Sequence, residues 1–196
     1  MKITKSLLEN WQACPEGLVW FESQTEKDAV KLVKTLLRKR NLDWANWLIA
    51  RCLTRINGIK YAVYAAESCL QNFEKLYPED KRPRRTIEAA KAVLENDTPE
   101  TRHEALRVGG NARPNVTDNS AWYAAHSARS AADSAASAKD SRFAASGSWS
   151  AAFSAGSAFS AAYVEAFSKI IRFGITLFKE QGDNCENRRS LKKRGT

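Results

Sequence analysis

The chain has 196 residues, with 31 Lys plus Arg against 22 Asp plus Glu, for a formal net charge of +9. That length suits one domain or two small ones, and 43% hydrophobic with 27% charged residues excludes wholesale disorder. No run of about 18 apolar residues is present, and the start MKITKSLLENWQ lacks an apolar signal core, so neither a membrane span nor export is expected.

Glycine and proline are scarce, 9 and 5 residues, and fall between apolar-periodic segments, as helical chains are punctuated. Ile3 to Trp11 reads as a first helix with Leu7, Leu8 and Trp11 on one face. Cys14-Pro15-Glu16 opens a second, because proline fits the first helical position. Thr25 to Asp28 reads as a capping-box variant with Thr25 as N-cap, followed by Ala29, Val33, Leu36 and Leu37 facing inward. That helix ends in Arg38-Lys39-Arg40, cations that suit the negative end of the helix dipole. Asp43 is the expected N-cap of a helix through Trp44-Ala45-Asn46-Trp47-Leu48-Ile49, running to a stop near Asn57-Gly58. Ile59 to Tyr77 follows, with Ala62, Val63, Ala66, Leu70, Phe73 and Tyr77 inward. A turn over residues 78–83 leads to a helix from Pro83 or Arg84 to Glu95. Thr98-Pro99-Glu100 starts another. Gly109-Gly110, Pro114 and the polar residues to Asn119 form the clearest loop. No segment alternates with β-branched enrichment, so no strand is expected.

From Ala121 to Ser168 the composition changes: this stretch holds 18 Ala and 12 Ser, enough to suggest a flexible linker. Its register argues for helices instead. Ser120, Ser127, Ser134, Ser141 and Ser148 recur every seven residues. Ala124, Ala131, Ala138, Ala145 and Ala152 keep the same step, with Ala121, Ala128 and Ala135 alongside. A seven-residue repeat of small side chains makes a helical seam on which backbones approach closely. A single helix over this stretch would be about 70 Å long, so a break is expected near Lys139-Asp140-Ser141 or Ser146-Gly147-Ser148. Tyr163 to Glu180 is the last expected helix, closed by Gln181-Gly182-Asp183-Asn184. The remainder is read as a basic disordered tail carrying a third of the net charge. The expected organisation is one all-α domain over 1–181, of about eight to ten helices. It comprises a helical half 1–108, a loop 109–119 and an Ala/Ser-rich half 120–181, with the tail at 182–196.

Signals for chemistry are weak. Cys14, Cys52, Cys69 and Cys185 lack C-x-x-C spacing and a histidine pair, so neither a disulfide framework nor a metal site is expected. His103 and His126 have no companion motif, no G-x-S-x-G elbow occurs, and Gly109-Gly110-Asn111-Ala112-Arg113 lacks phosphate-loop spacing. Glu67 and Glu74 read as a solvated helix face. No catalytic residue and no cofactor is expected. The basic clusters Lys31–Arg40, Lys81–Arg85 and the tail would give non-specific phosphate affinity at low salt, but no nucleic-acid-binding motif joins them. Trp44 and Trp47 share a helical face, either as core or as an aromatic anchor beside Arg51 and Arg55.

Four segments occur in order: Asp43 to Arg51, Tyr61 to Glu67, Phe73 to Pro78 with Asp80 to Arg84, and Ile87 to Lys91. In these, and in its alanine-rich second half, the chain resembles the Imm5-like immunity proteins of bacteria and their phages, over roughly Cys14 to Ala166. Asp43–Arg51 and Tyr77–Arg84 are the most specific parts of the resemblance. The serine content and the basic tail depart from the family pattern. The resemblance implies an all-α, non-enzymatic protein of the bacterial cytoplasm that binds and neutralises a toxin, nuclease or defence effector. It nominates Asp43, Arg51, Arg82 and Arg84 for partner binding, to which the aromatic-anchor reading adds Trp44 and Arg55. A phage-borne inhibitor of host defence, such as an anti-CRISPR protein, is the alternative. A basic nucleic-acid-binding module and a homo-oligomer joined through the small-residue helices are further ones.

Overall fold

A computed structural model describes residues 1–111, 116–137, 141–159 and 162–194, with side chains except at 141–143 and 183–194. Among the described residues there are ten helices: α1 Lys5–Asn10, α2 Pro15–Glu22, α3 Ala29–Arg38, α4 Leu42–Cys52, α5 Arg55–Glu74, α6 Arg82–Glu95, α7 Pro99–Gly110, α8 Asn119–Ala136, α9 Ser141–Ser157 and α10 Tyr163–Arg194. The all-α expectation holds. The one β element among them is an isolated antiparallel bridge between Lys2 and Asp28.

Local chemistry sets many of the helix starts. The Cys14 Sγ accepts from the Gly17 N–H at 3.3 Å, with Pro15 in the first turn of α2. Thr98 and Thr101 cap α7 reciprocally, ahead of Pro99. Two expected caps move. Asp28, not Thr25, opens α3, because Glu26 takes the Lys27 and Asp28 N–H groups while Asp28 Oδ1 accepts from Lys31 N. Asn41, not Asp43, opens α4, its Oδ1 accepting from Trp44 N at 3.4 Å. Gln12 and Arg40 have φ of 60° and 56°. Each follows a helix as the left-handed residue of a Schellman turn, closed by Ala13 N to Leu8 O and by Asn41 N to Leu36 O, both at 3.0 Å.

The expected stop at Asn57-Gly58 is also displaced. α4 ends at Cys52 and Thr54 caps α5, which runs straight through Gly58. The cause lies in α10. Gln181 donates to Cys52 O at 3.1 Å and accepts from Thr54 N at 2.8 Å, satisfying backbone groups on both sides of the break. α10 likewise passes its expected stop at Gly182 and continues to Arg194. A lone glycine costs a helix only about 1 kcal/mol, and Glu, Arg and Lys around it favour helix. The segment 182–194, read from sequence as a disordered tail, continues this helix; residues 195–196 lie outside those described.

α5 is the axis of the packing. Tyr61, Ala65, Cys69 and Phe73 face a core built from α1 to α4, α10 and parts of α8 and α9. Ile59, Ala62, Val63, Ala66 and Leu70 face a second core with α6, α7 and α8. Sequence periodicity captured the second face but missed Tyr61, Ala65 and Cys69, because a helix buried on two sides shows no single apolar stripe. The thiols of Cys52 and Cys69 are pushed up to about 12 by burial.

The Ala/Ser stretch breaks between Ala136 and Ser141, at the first of the two expected places; residues 138–140 lie outside those described. The seven-residue seam is buried within the chain: Ala121, Ala124, Ala128, Ala131, Ala135 and Ala152 are inaccessible. Ser127 Oγ donates to Ala151 O at 2.8 Å and Ser134 Oγ to Ala144 O at 3.0 Å, tying α8 to α9. α8 is enclosed by α5, α6, α7 and α9, so its small-residue faces pack against helices of the same chain.

Candidate functional site

α4 brings three nominated residues together. Asp43 lies exposed in its first turn, where a carboxylate complements the positive helix end. Its Oδ1 accepts from the Tyr163 hydroxyl of α10 at 3.3 Å. Burial and the Asp43 charge push the Tyr163 phenol up to about 12. Trp44 and Trp47 are both half-buried at the edge of the larger core. Trp44 packs 6.1 Å from the Trp20 ring, and Trp47 6.3 Å from the Trp11 ring, edge on. Arg51, one turn beyond Trp47, lies 5.6 Å from that ring in cation–π geometry. α4 thus shows solvent a carboxylate, two indole edges and a guanidinium within about 12 Å of helix.

Arg55 is placed differently. Its side chain is only 13% exposed and forms a fork on Asp97, at 2.6 and 3.2 Å. It also donates to Ser137 O at 2.7 Å and Ala135 O at 3.0 Å, closing the carbonyl end of α8. Arg102 holds the same carboxylate at 2.6 Å. The Arg102 and Arg55 hydrogen bonds keep Asp97 below the ordinary aspartate range. Its stabilisation is complete above the unfolded value near 3.9 and is lost as pH falls through the lower folded value. Replacing Arg55 by Lys retains charge but not the fork, and leaves α8 carbonyls unpaired. We expect Arg55→Lys to lower unfolding stability by about 2 kcal/mol in urea titration. A loss under about 0.5 kcal/mol would contradict this structural role.

Arg82 and Arg84 sit at the start of α6, half-exposed. Arg82 pairs with Asp80 and Arg84 with Glu74, each at 2.6 Å. These guanidiniums hold Asp80 and Glu74 below the usual carboxylate range. Glu67 pairs with Lys91, so the carboxylates expected on a merely solvated face are ion-paired between α5 and α6. Arg84 meets the end of α5 and Arg55 its beginning, about 28 Å apart along the helix. The six nominated residues therefore do not form one patch.

Sequence reasoning missed a basic groove. Lys31, Lys34 and Arg38 of α3 line it with Ser168 and Arg172 of α10, around an open volume of about 690 Å³. Lys31 is held by Glu26 at 2.9 Å. The cluster Lys31–Arg40 was visible in sequence; its partner Arg172 was not, because nothing local joins α3 to α10.

A model of the family described as Imm-5 like putative immunity protein matches residues 53–172, more than half of the 196-residue chain. The chain belongs to this family. The Imm5-like region takes in α5 to α9 and the first part of α10, with Arg55, Arg82 and Arg84. α1 to α4 lie outside it, and with them Asp43, Trp44 and Arg51. The segment Asp43–Arg51, expected to be among the most specific parts of the resemblance, is thus outside the matched range. No curated protein and no solved structure matches the chain. Among the described residues of this Imm5-like protein, no His, Cys, Asp or Glu group has a metal-holding arrangement, and no helix is long and apolar enough to cross a membrane.

Proposed function

We propose that this protein binds a toxin or effector protein and neutralises it by covering the surface through which that protein acts. Membership of an immunity-protein family over 53–172 carries this reading. The exposed face of α4 is the proposed interface, with Trp44, Trp47 and Arg51 as anchors, since Trp and Arg dominate binding hot spots. Arg82 and Arg84 form a secondary surface, and Arg55 belongs to the scaffold.

The test is co-expression with the product of the neighbouring gene in a bacterial host. Neutralisation predicts restored growth and a complex of fixed ratio on size-exclusion chromatography. Arg51→Ala with Trp44→Ala should weaken the complex by about thirtyfold or more, the loss of a hot spot of roughly 2 kcal/mol. Whether the neutralised protein is a toxin, a nuclease or a host defence effector separates the immunity reading from the anti-CRISPR one. Absence of any complex, together with duplex binding that survives about 0.2 M salt, would overturn both in favour of a nucleic-acid module.

A further inference from the structure

The groove between α3 and α10 is lined by cations from both helices, Lys31, Lys34 and Arg38 from the first and Arg172 from the second. Both helices pack against α4, which holds the two rims in place. Elsewhere on this protein guanidiniums are matched to carboxylates: Arg82 to Asp80, Arg84 to Glu74, Arg107 to Glu104, and Arg55 with Arg102 to Asp97. The groove lacks that matching. Glu26 is the one carboxylate of its lining, and Lys31 holds it. Arg38 reaches only the Thr35 hydroxyl, at 3.0 Å. The exposed Lys34 and Arg172 have no acidic partner among the described residues.

The three cations of α3 are spread over about 10 Å of helix axis. One small anion cannot bridge that length, so they suit a ligand that carries several negative charges. The rest of the lining includes Leu37 and Ile175, both apolar, and the hydroxyl residues Thr35 and Ser168. No aromatic residue belongs to it. Proteins that bind single-stranded nucleic acid without reading its sequence stack bases on aromatic rings, and an apolar lining offers a phosphate nothing. An acidic peptide supplies both groups that this groove complements. Its carboxylates accept from the Lys and Arg donors, and an apolar side chain among them meets Leu37 and Ile175. The open volume of about 690 Å³ falls within the usual range of ligand sites, roughly 300–1,000 Å³, so it takes a short segment. The net charge of +9 draws an acidic partner toward the surface before docking.

We propose that the α3–α10 groove binds a short acidic segment of the partner protein, with carboxylates on the two basic rims and one apolar side chain between them. This rests on the reading that the chain binds another protein, and it names that protein's chemistry. The test uses peptides in place of the partner. A failed rescue on co-expression therefore strikes the neutralisation reading alone, and a failed titration strikes the groove alone.

The full chain, labelled with nitrogen-15, is titrated with the peptide acetyl-EELEE-amide at about 0.05 M salt, where exposed charges are little screened. Binding in the millimolar range or tighter is expected, with shifts of the Lys34, Arg38, Ser168 and Arg172 amides. Acetyl-QQLQQ-amide should leave those amides unmoved. Acetyl-EEGEE-amide should bind about threefold more weakly or worse, because it has no apolar side chain to bury. Lys34→Ala with Arg172→Ala takes one cation from each rim and should weaken the acidic peptide about fivefold. Lys60→Ala with Lys75→Ala removes the same charge from α5, away from the groove, and should change affinity less than about twofold. Equal losses in the two double variants would show diffuse attraction and overturn the proposal. So would equal affinity for the leucine and glycine peptides, or the absence of shifts at the groove. Pentathymidylate carries the same charge as the acidic peptide; if it binds the groove as tightly or more so, the site belongs to nucleic acid and the proposal falls. The peptide comparisons use the natural chain, so they stand even if a variant folds poorly.

Discussion

Gly147→Ala is expected to lower unfolding stability by about 2–3 kcal/mol, as overpacked cores do. For a chain of this length that is a fall of roughly 5–10 °C in Tm. A Cβ at Gly147 would lie 2.8 Å from Ser134 N and 2.9 Å from its Cα and Cβ. These are backbone and near-backbone atoms of a helix and have no rotamer through which to move aside. α8 and α9 would have to separate, which would strain the Ser127–Ala151 and Ser134–Ala144 hydrogen bonds and open the alanine seam beneath them. Gly110→Ala is the matched control, because a Cβ there meets nothing within 4 Å. It should be neutral or stabilising by up to about 1 kcal/mol. Thermal unfolding followed by circular dichroism measures both. A Gly147→Ala protein as stable as the natural one would mean that α8 and α9 do not meet at this point.

The second large effect centres on Asn46. Asn46 and Tyr61 are both inaccessible, and together they join α4, α5 and α9 through two hydrogen bonds. Burial alone raises the Tyr61 phenol well above its ordinary value, so it stays a neutral donor at any pH at which the fold survives. Asn46→Ala removes both bonds, leaves the Tyr61 hydroxyl without an acceptor and opens a small void. These costs sum to about 3 kcal/mol. Tyr61→Phe alone leaves the Asn46 oxygen unpaired and should cost about 1–2 kcal/mol. The double variant Asn46→Ala with Tyr61→Phe should lose less than the sum by about 1 kcal/mol, since the orphaned hydroxyl disappears with its partner. Urea titration of the four proteins closes the cycle. Simple additivity would show that the two side chains do not share the bond seen here.

Asn46 also shows the limits of reading residues singly. It lies one turn from Leu42 and Ile49 on the inward face of α4, and a polar side chain on such a face is a legible signal of a buried bond. Its partners are not legible: Tyr61 is 15 residues away and Trp149 is 103. Arg55 was nominated for a partner because it is a cation near two tryptophans. The structure instead gives its guanidinium to Asp97 and to α8 carbonyls 80 and 82 residues along the chain. Asp43 and Arg51 stay at the surface as expected, because they occupy the outward face of a helix whose inward face was correctly read.

The sequence by itself determined the helical class, the proline-led starts of α2 and α7, and the close-packed character of α8 and α9. These follow from interactions within one or two turns and from a seven-residue repeat, which are written locally. The tertiary structure decided that α5 is the central helix, that α4 stops at Cys52, and that four tryptophans from three helices surround one cavity. Each depends on groups far apart in the chain, such as Gln181 bridging Cys52 and Thr54 from 129 and 127 residues away. Propensity and pattern act over a few residues, whereas a buried hydrogen bond or a shared cavity exists only once the helices have met.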